Sequence, residues 1–117
     1  MLVVDDNADN AKGLERFLKL LGDDVEVAFD GPSAIDIARV QRPQIVLLDI
    51  GLPGMDGYQV AQRLRTEEFV KNALIIAVSE YGQPEDLRRS QDAGFDHHLV
   101  KPVDYDALTT LFTIQTG

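Results

Sequence analysis

Four short apolar runs of the chain each end on a side chain that can bind a cation or an anion. The acid pair Asp5-Asp6 follows the first run, and Asp49, Ser79 and Lys101 end or follow three later ones. Three carboxylates crowded together raise one another's pKa unless a cation lies among them, and oxygen ligands without His or Cys favour Mg²⁺. Lys101 and Ser79 are suited to neutralise and hydrogen-bond phosphoryl oxygens. The pattern therefore predicts a magnesium site beside a phosphoryl-binding site.

Each of these residues has an ordinary structural interpretation when it is taken alone. An aspartate after a strand commonly caps a helix or forms a turn, and a Lys-Pro pair is common in loops. Four strand ends that carry an acid pair, an acid, a hydroxyl and a lysine are harder to explain in that way. We therefore interpret the combination as a functional site.

The elements that would position these side chains alternate along the chain. Apolar runs of strand length occupy residues 3–4, 25–29, 45–48, 74–78 and 99–100. A helical pattern follows each run. The first helix is predicted from four apolar residues on one face, Leu14, Phe17, Leu18 and Leu21.

The other four helices are predicted from shorter patterns. Their apolar positions are Ala34, Ile37 and Ala38, then Val60, Ala61 and Leu64, then Leu87 and Ala93 within 84–93, and finally Leu108, Leu111 and Phe112. Pro32 lies in the first turn of the second helix, and the third begins near Asp56. Five repeats of an apolar strand and a helix predict an α/β fold, with helices on both faces of a parallel sheet. Such sheets hold their chemistry beyond the carboxyl ends of the strands.

Composition narrows the class of protein. The 117 residues suit one domain, and 20 acidic against 11 basic residues give a formal net charge of −9, so direct contact with nucleic acid or an anionic membrane surface is not expected. Cysteine is absent, which excludes disulfides and thiolate sites and favours a cytoplasmic location. No apolar run approaches the roughly 20 residues of a membrane span. Because the first strand begins almost at Met1, we expect a domain excised from a longer protein.

The polar strand ends belong to longer segments, which are V-V-D-D-N at 3–7, L-L-D-I-G-L-P-G-M-D-G at 47–57, V-S at 78–79 and V-K-P at 100–102. Together they resemble the receiver domain of bacterial two-component response regulators, and the resemblance covers nearly the whole chain. It implies one receiver domain over 1–117, with a doubly wound five-stranded sheet of the flavodoxin-like order 2-1-3-4-5. It also implies a partner that is a histidine kinase or a histidine phosphotransfer domain, and signalling through a change of conformation.

The resemblance implies a role for each acidic residue. Asp49 is expected to accept a phosphoryl group from a phosphohistidine in a reaction that depends on Mg²⁺. Asp6 is expected to bind Mg²⁺ directly together with Asp49, and Asp5 mainly through water. The backbone carbonyl of Gly51 would complete the protein ligands.

On the lysine side of the site, the chain departs in part from the family pattern. The resemblance implies a salt bridge from Lys101 to the phosphoryl group and a cis peptide before Pro102. Ser79 stands where threonine is frequent, and His98 stands where most receivers carry an aromatic residue. We predict that Ser79 and His98 form the switch, with His98 turning inward when Ser79 moves to a phosphoryl oxygen. The His97-His98 pair also resembles receivers at the C-terminal end of hybrid sensor histidine kinases.

Two other functions fit parts of the pattern. An aspartyl-phosphate phosphatase needs a second acid shortly after its nucleophile, where this chain has Ile50 and Gly51. A degenerate receiver would be a docking or dimerisation module without chemistry, although all five site residues are present. The chain also lacks the glycine-rich loop that a nucleotide-binding protein needs. We therefore expect a phosphoacceptor module and not an enzyme, with self-phosphorylation and self-dephosphorylation only, and leave a homodimer open.

Overall fold

Strands and helices alternate along the described part of the chain. The computed structural model describes residues 1–68, 70, 72–80 and 84–116. The strands in this part are β1 (Leu2–Val4), β2 (Glu26–Ala28), β3 (Ile45–Asp49), β4 (Leu74–Ser79) and β5 (His97–Val100). The helices are α1 (Ala8–Leu20), α2 (Gly31–Gln41), α3 (Gly57–Arg65), α4 (Pro84–Ala93) and α5 (Tyr105–Thr116). The predicted alternation of strand and helix is confirmed.

The strands form one parallel sheet in the order β2-β1-β3-β4-β5. Val4 near the end of β1 pairs with Leu48 of β3, and Ser79 at the end of β4 pairs with Val100 of β5. The carboxyl ends of these four strands therefore lie along one edge. The predicted α/β fold and its order 2-1-3-4-5 are confirmed.

Two helices begin where their sequences provide caps. The side chain of Asp30 accepts a hydrogen bond of 2.8 Å from the Ser33 amide before α2, and Pro32 lies in the first turn, where no amide donor is needed. Asp56 and Gln59 form a reciprocal capping box at the start of α3. Both starts agree with the predicted ones. In the described residues, no helix has the length and apolar character that crossing a membrane requires.

The side chains of the central strands alternate between two apolar cores, one on each face of the sheet. Val4 and Leu48 belong to the core that α2, α3 and α4 cover. Val3 and Leu47 belong to the opposite core, which α1 and α5 cover. Burial on both faces explains why these strands are unbroken apolar runs in the sequence.

Three apolar residues were predicted in the wrong environment. Leu21 lies just past the end of α1 and is 49% exposed, because the helix ends before it can return to the buried face. Phe29 follows β2 and is likewise exposed, so the predicted strand 25–29 is too long. Leu87 is an exposed residue of α4, where the buried residues are Ser90 and Ala93.

Candidate functional site

Asp49 is the last residue of β3 and is buried at the carboxyl edge of the sheet. Its Oδ1 accepts a hydrogen bond of 2.9 Å from the amide of Gly51, and its Oδ2 accepts one of 3.1 Å from Nζ of Lys101. The loop that follows β3 and the end of β5 thus hold the two carboxylate oxygens from different sides. This arrangement fixes the rotation of the Asp49 carboxylate.

The acid pair lies beside Asp49, because β1 and β3 are neighbours in the sheet. Asp5 is buried, and its Oδ1 accepts a hydrogen bond of 2.9 Å from the Asn7 amide, whereas Asp6 is exposed. One carboxylate oxygen from each of Asp5, Asp6 and Asp49 lies within 4.8 Å of the others. Three carboxylates at this spacing, with no sulfur or nitrogen ligand among them, fit a hard divalent cation such as Mg²⁺. Receiver-type magnesium binding is therefore compatible with the residues present.

The electrostatics of the site depend on burial as well as on neighbouring charge. Burial raises the pKa of Asp5 from 3.8 to about 6, the Asn7 amide opposes the rise, and the charge of Asp49 adds to it. The sequence pattern predicts a rise from mutual repulsion, and repulsion by Asp49 does contribute, but loss of water is the larger cause. Burial alone would lower the pKa of Lys101, yet the pKa is raised overall by its hydrogen bond to Asp49 and by surrounding acids.

Ser79 and His98 are in direct contact. Ser79 is the buried last residue of β4, and its Oγ lies 2.7 Å from Nε2 of His98 in β5. On the other side of the ring, Nδ1 of His98 lies 2.7 Å from Oγ of Ser90, a buried residue of α4. The part-buried imidazole therefore already faces inward next to Ser79, and not outward as the predicted switch assumed for its resting position.

A concave cavity of about 550 Å³ opens at this edge of the sheet. Asp49, Ser79 and Lys101 line it together with Asp6, and Glu80 contributes an acidic side chain. The Asp49 carboxylate, a hydroxyl group and an ammonium group thus face one space. That space is the candidate site for a phosphoryl group.

Gly57 supports the site from below. It is the first residue of α3, and its amide donates a hydrogen bond of 3.0 Å to the carbonyl oxygen of Ile50. A Cβ atom at this position would lie 2.5 Å from Cα of Ile50 and 2.6 Å from the carbonyl oxygen of Asp49. Close packing of the start of α3 against the end of β3 is therefore what requires glycine at this position.

Comparison with known proteins identifies the family. Residues 1–113 match the family model described as the Response regulator receiver domain. This chain belongs to the response-regulator receiver family. It is a phosphoacceptor signalling domain of the two-component type.

The receiver domain has relatives among transcriptional regulators and chemotaxis proteins. It is 37% identical over 102 residues to the probable transcriptional regulator ycf27 of Porphyridium aerugineum, covering 87% of this chain and 41% of that protein. It is 32% identical over 108 residues to the DNA-binding dual master transcriptional regulator RpaA of Synechocystis sp., covering 92% and 45%. The chain thus spans less than half the length of either relative.

A solved receiver structure agrees with the fold across almost the whole chain. The structure of the chemotaxis protein CheY4 of Vibrio cholerae superposes with a TM-score of 0.89 at 28% identity, covering 98% of this chain and 94% of that one. The hybrid histidine kinase expected as parent protein stays a prediction.

The receiver domain brings together the five polar residues chosen from the sequence, namely Asp5, Asp6, Asp49, Ser79 and Lys101. The Lys101-Pro102 peptide bond is cis, the form expected. Gly51 also lines the cavity, while the use of its carbonyl as a ligand stays a prediction. Sequence reasoning missed Ser90, because nothing in the pattern of α4 distinguishes this serine from an exposed one.

Proposed function

We propose that this receiver domain takes a phosphoryl group onto Asp49 from the phosphohistidine of a histidine kinase or a histidine phosphotransfer domain. One observation carries the proposal: the buried Asp49 carboxylate lies 3.1 Å from the Lys101 ammonium and within 4.8 Å of two further carboxylates. Such a cluster concentrates negative charge where a cation can bind, and it places a permanent positive charge beside the nucleophile.

Each residue of the site has a separate role in the proposed phosphoryl transfer. A carboxylate oxygen of Asp49 forms a bond to phosphorus while the bond from phosphorus to the donor's histidine nitrogen breaks, and the electron pair of that bond stays with the donor imidazole. The Gly51 amide orients the carboxylate, Lys101 neutralises phosphoryl oxygens, and Ser79 donates a hydrogen bond to one of them. Asp5, Asp6 and Asp49 would hold Mg²⁺, which supplies the remaining positive charge when bound.

The two alternatives have less support. A phosphatase would need an acid side chain just after Asp49, but Ile50 packs against the apolar core and Gly51 has no side chain. A degenerate receiver would lack part of the site, whereas Asp49, Lys101 and the acid pair are all present and close together. We therefore propose a phosphoacceptor that catalyses only its own phosphorylation and dephosphorylation.

The proposed setting of the domain follows from its charge. A formal net charge of −9 opposes contact of this domain with nucleic acid or with an anionic membrane surface. DNA binding in a relative such as RpaA would then depend on the part of that protein outside the aligned region. We also propose a cytoplasmic location, where a kinase can reach the domain, and we leave a homodimer open.

The proposed chemistry can be tested on the isolated chain. We expect incubation with acetyl phosphate to add one phosphoryl group when Mg²⁺ is present and none when a chelator removes it, as measured by intact mass. Hydroxylamine should remove the group, because it cleaves acyl phosphates and leaves serine phosphate esters intact. Failure to gain the group with Mg²⁺, or a product that resists hydroxylamine, would contradict the proposal.

A further inference from the structure

A chain of two short contacts connects the phosphoryl site to α4. Oγ of Ser79 lies 2.7 Å from Nε2 of His98, and Nδ1 of His98 lies 2.7 Å from Oγ of Ser90. Ser79 lines the candidate phosphoryl cavity, and Ser90 is a 1% exposed residue on the sheet side of α4. The imidazole is therefore the bridge between the site and the helix.

The chemistry of a neutral imidazole couples the two hydroxyl groups. A neutral ring has one nitrogen that donates and one that accepts, so a hydroxyl on one side must donate while the hydroxyl on the other side accepts. Ser79 and Ser90 cannot both donate to the ring of His98, nor both accept from it. The direction of one hydrogen bond thus determines the direction of the other.

A phosphoryl group at the site would determine which way the two hydrogen bonds of the His98 ring run. Its oxygens accept hydrogen bonds and have no proton to give, and Ser79 has a single hydroxyl proton. When that proton goes to a phosphoryl oxygen, Ser79 can only accept from Nε2–H of His98. Nδ1 then carries a lone pair 2.7 Å from Ser90 Oγ, and Ser90 donates its proton there because two facing lone pairs would repel.

We propose that Ser90 is a positioning residue that acts through His98 on Ser79, and that phosphorylation is transmitted to α4 as a fixed hydrogen-bond direction. The inference rests on the proposed function and deepens it. The imidazole loses a proton from Nδ1 and gains one at Nε2 by exchange with water, so its charge is unchanged. Each serine keeps its own proton and turns it, Ser79 toward the phosphoryl group and Ser90 toward His98.

The contact between Ser90 and His98 is one of the few that hold α4 against the sheet. Only Ser90 and Ala93 are buried residues of the helix, so α4 has little apolar packing against the sheet. Arg89 of α4 makes another contact: its guanidinium group lies 4.1 Å from the ring centre of Tyr58 and 3.9 Å from a carboxylate oxygen of Asp56. That contact ties α4 to α3 and does not pass through Ser79, so Arg89 offers a control within the same helix.

The test uses ¹⁵N NMR of the histidine ring with and without beryllofluoride and Mg²⁺, which together mimic the phosphoryl group. In the wild-type chain we expect signals of both tautomers before the mimic and of the Nε2–H tautomer alone after it. Ser90→Ala should reach the same Nε2–H tautomer with the mimic, because Ser79 selects it, but its Nδ1 signal should have the shift of a lone pair without the Ser90 hydrogen bond. The variant should also be phosphorylated by acetyl phosphate about two- to tenfold more slowly. Arg89→Gln should give the wild-type ring signals, because it removes a tether of α4 outside the bridge.

The outcomes separate this inference from the proposed function. Three results would each overturn the bridge: ring signals that do not change on adding the mimic, a ring protonated on both nitrogens, or a Ser90→Ala chain whose Nδ1 signal and phosphorylation rate both match the wild type. If the wild type and Ser90→Ala are phosphorylated with Mg²⁺ while the ring signals do not change, the bridge alone is wrong. If the wild type gains no phosphoryl group at all, the proposed function itself is wrong.

Discussion

Nζ of Lys101 lies 3.1 Å from Oδ2 of Asp49, and this ion pair joins the end of β5 to the end of β3. The same ammonium group lies 3.8 Å from Oδ2 of Asp5, so one cation faces two buried carboxylates. Before any divalent cation binds, the positive charge of Lys101 stabilises these two buried carboxylates. We expect the same charge to neutralise the phosphoryl group after transfer.

Replacing Lys101 by methionine should therefore destabilise the chain when no divalent cation is present. We expect the free energy of unfolding to fall by about 1–3 kcal/mol, because two buried acids lose their cation while the aliphatic stem is kept. The control is Lys19→Met, which breaks an exposed pair with Glu15 and should cost at most about 0.5 kcal/mol. Urea unfolding at pH 7 measures both, and equal losses would contradict the role given to Lys101.

The raised pKa of Asp5 predicts how stability depends on pH without metal. The folded chain holds the Asp5 proton more tightly than the unfolded chain does, so this residue costs stability as pH rises from 3.8 through about 6. Asp5→Asn should remove that cost and raise the free energy of unfolding at pH 7 by up to about 3 kcal/mol. The difference between variant and wild type should grow from pH 4 to pH 7, and a difference that shrinks would show that the sign is wrong.

Binding of Mg²⁺ should depend more on Asp6 than on Asp5. Asp6 is exposed, whereas Asp5 has its Oδ1 engaged by the Asn7 amide and its Oδ2 turned toward Lys101. We expect Asp5→Asn to weaken Mg²⁺ binding about tenfold and Asp6→Asn to weaken it more. Titration calorimetry with MgCl₂ on both variants provides the comparison. Equal affinities, or the reverse order, would contradict the asymmetry.

The contrast between Asp49 and Ser90 shows what the sequence could and could not reveal. Asp49 was predictable because the apolar run before it fixes a buried strand, and the end of a parallel strand has a known place in the fold. Ser90 was not predictable, because its burial depends on His98, which comes eight residues later and on another element. Leu87 was predicted to be buried but is exposed, because periodicity alone does not show which side chains of a short helix face the sheet.

Close packing at Gly57 was equally hidden in the sequence, and it leads to a prediction about stability. In Gly57→Ala the new Cβ would press on the backbone of Ile50 and Asp49, so α3 or the end of β3 must shift. We expect a loss of about 2–3 kcal/mol. Gly54→Ala is the matched control, because Gly54 has a φ of +73° but open space around it, and it should cost about 1 kcal/mol. Thermal unfolding that ranks Gly54→Ala as the more harmful change would contradict the packing argument.

Intact-mass measurement of Asp49→Asn tests most directly whether Asp49 accepts the phosphoryl group. The wild type and Asp36→Asn, which changes an exposed acid on α2, serve as controls in acetyl phosphate and Mg²⁺. We expect both controls to gain one hydroxylamine-sensitive phosphoryl group and Asp49→Asn to gain none. If folded Asp49→Asn gains the same group at the same rate as the controls, Asp49 is not the acceptor.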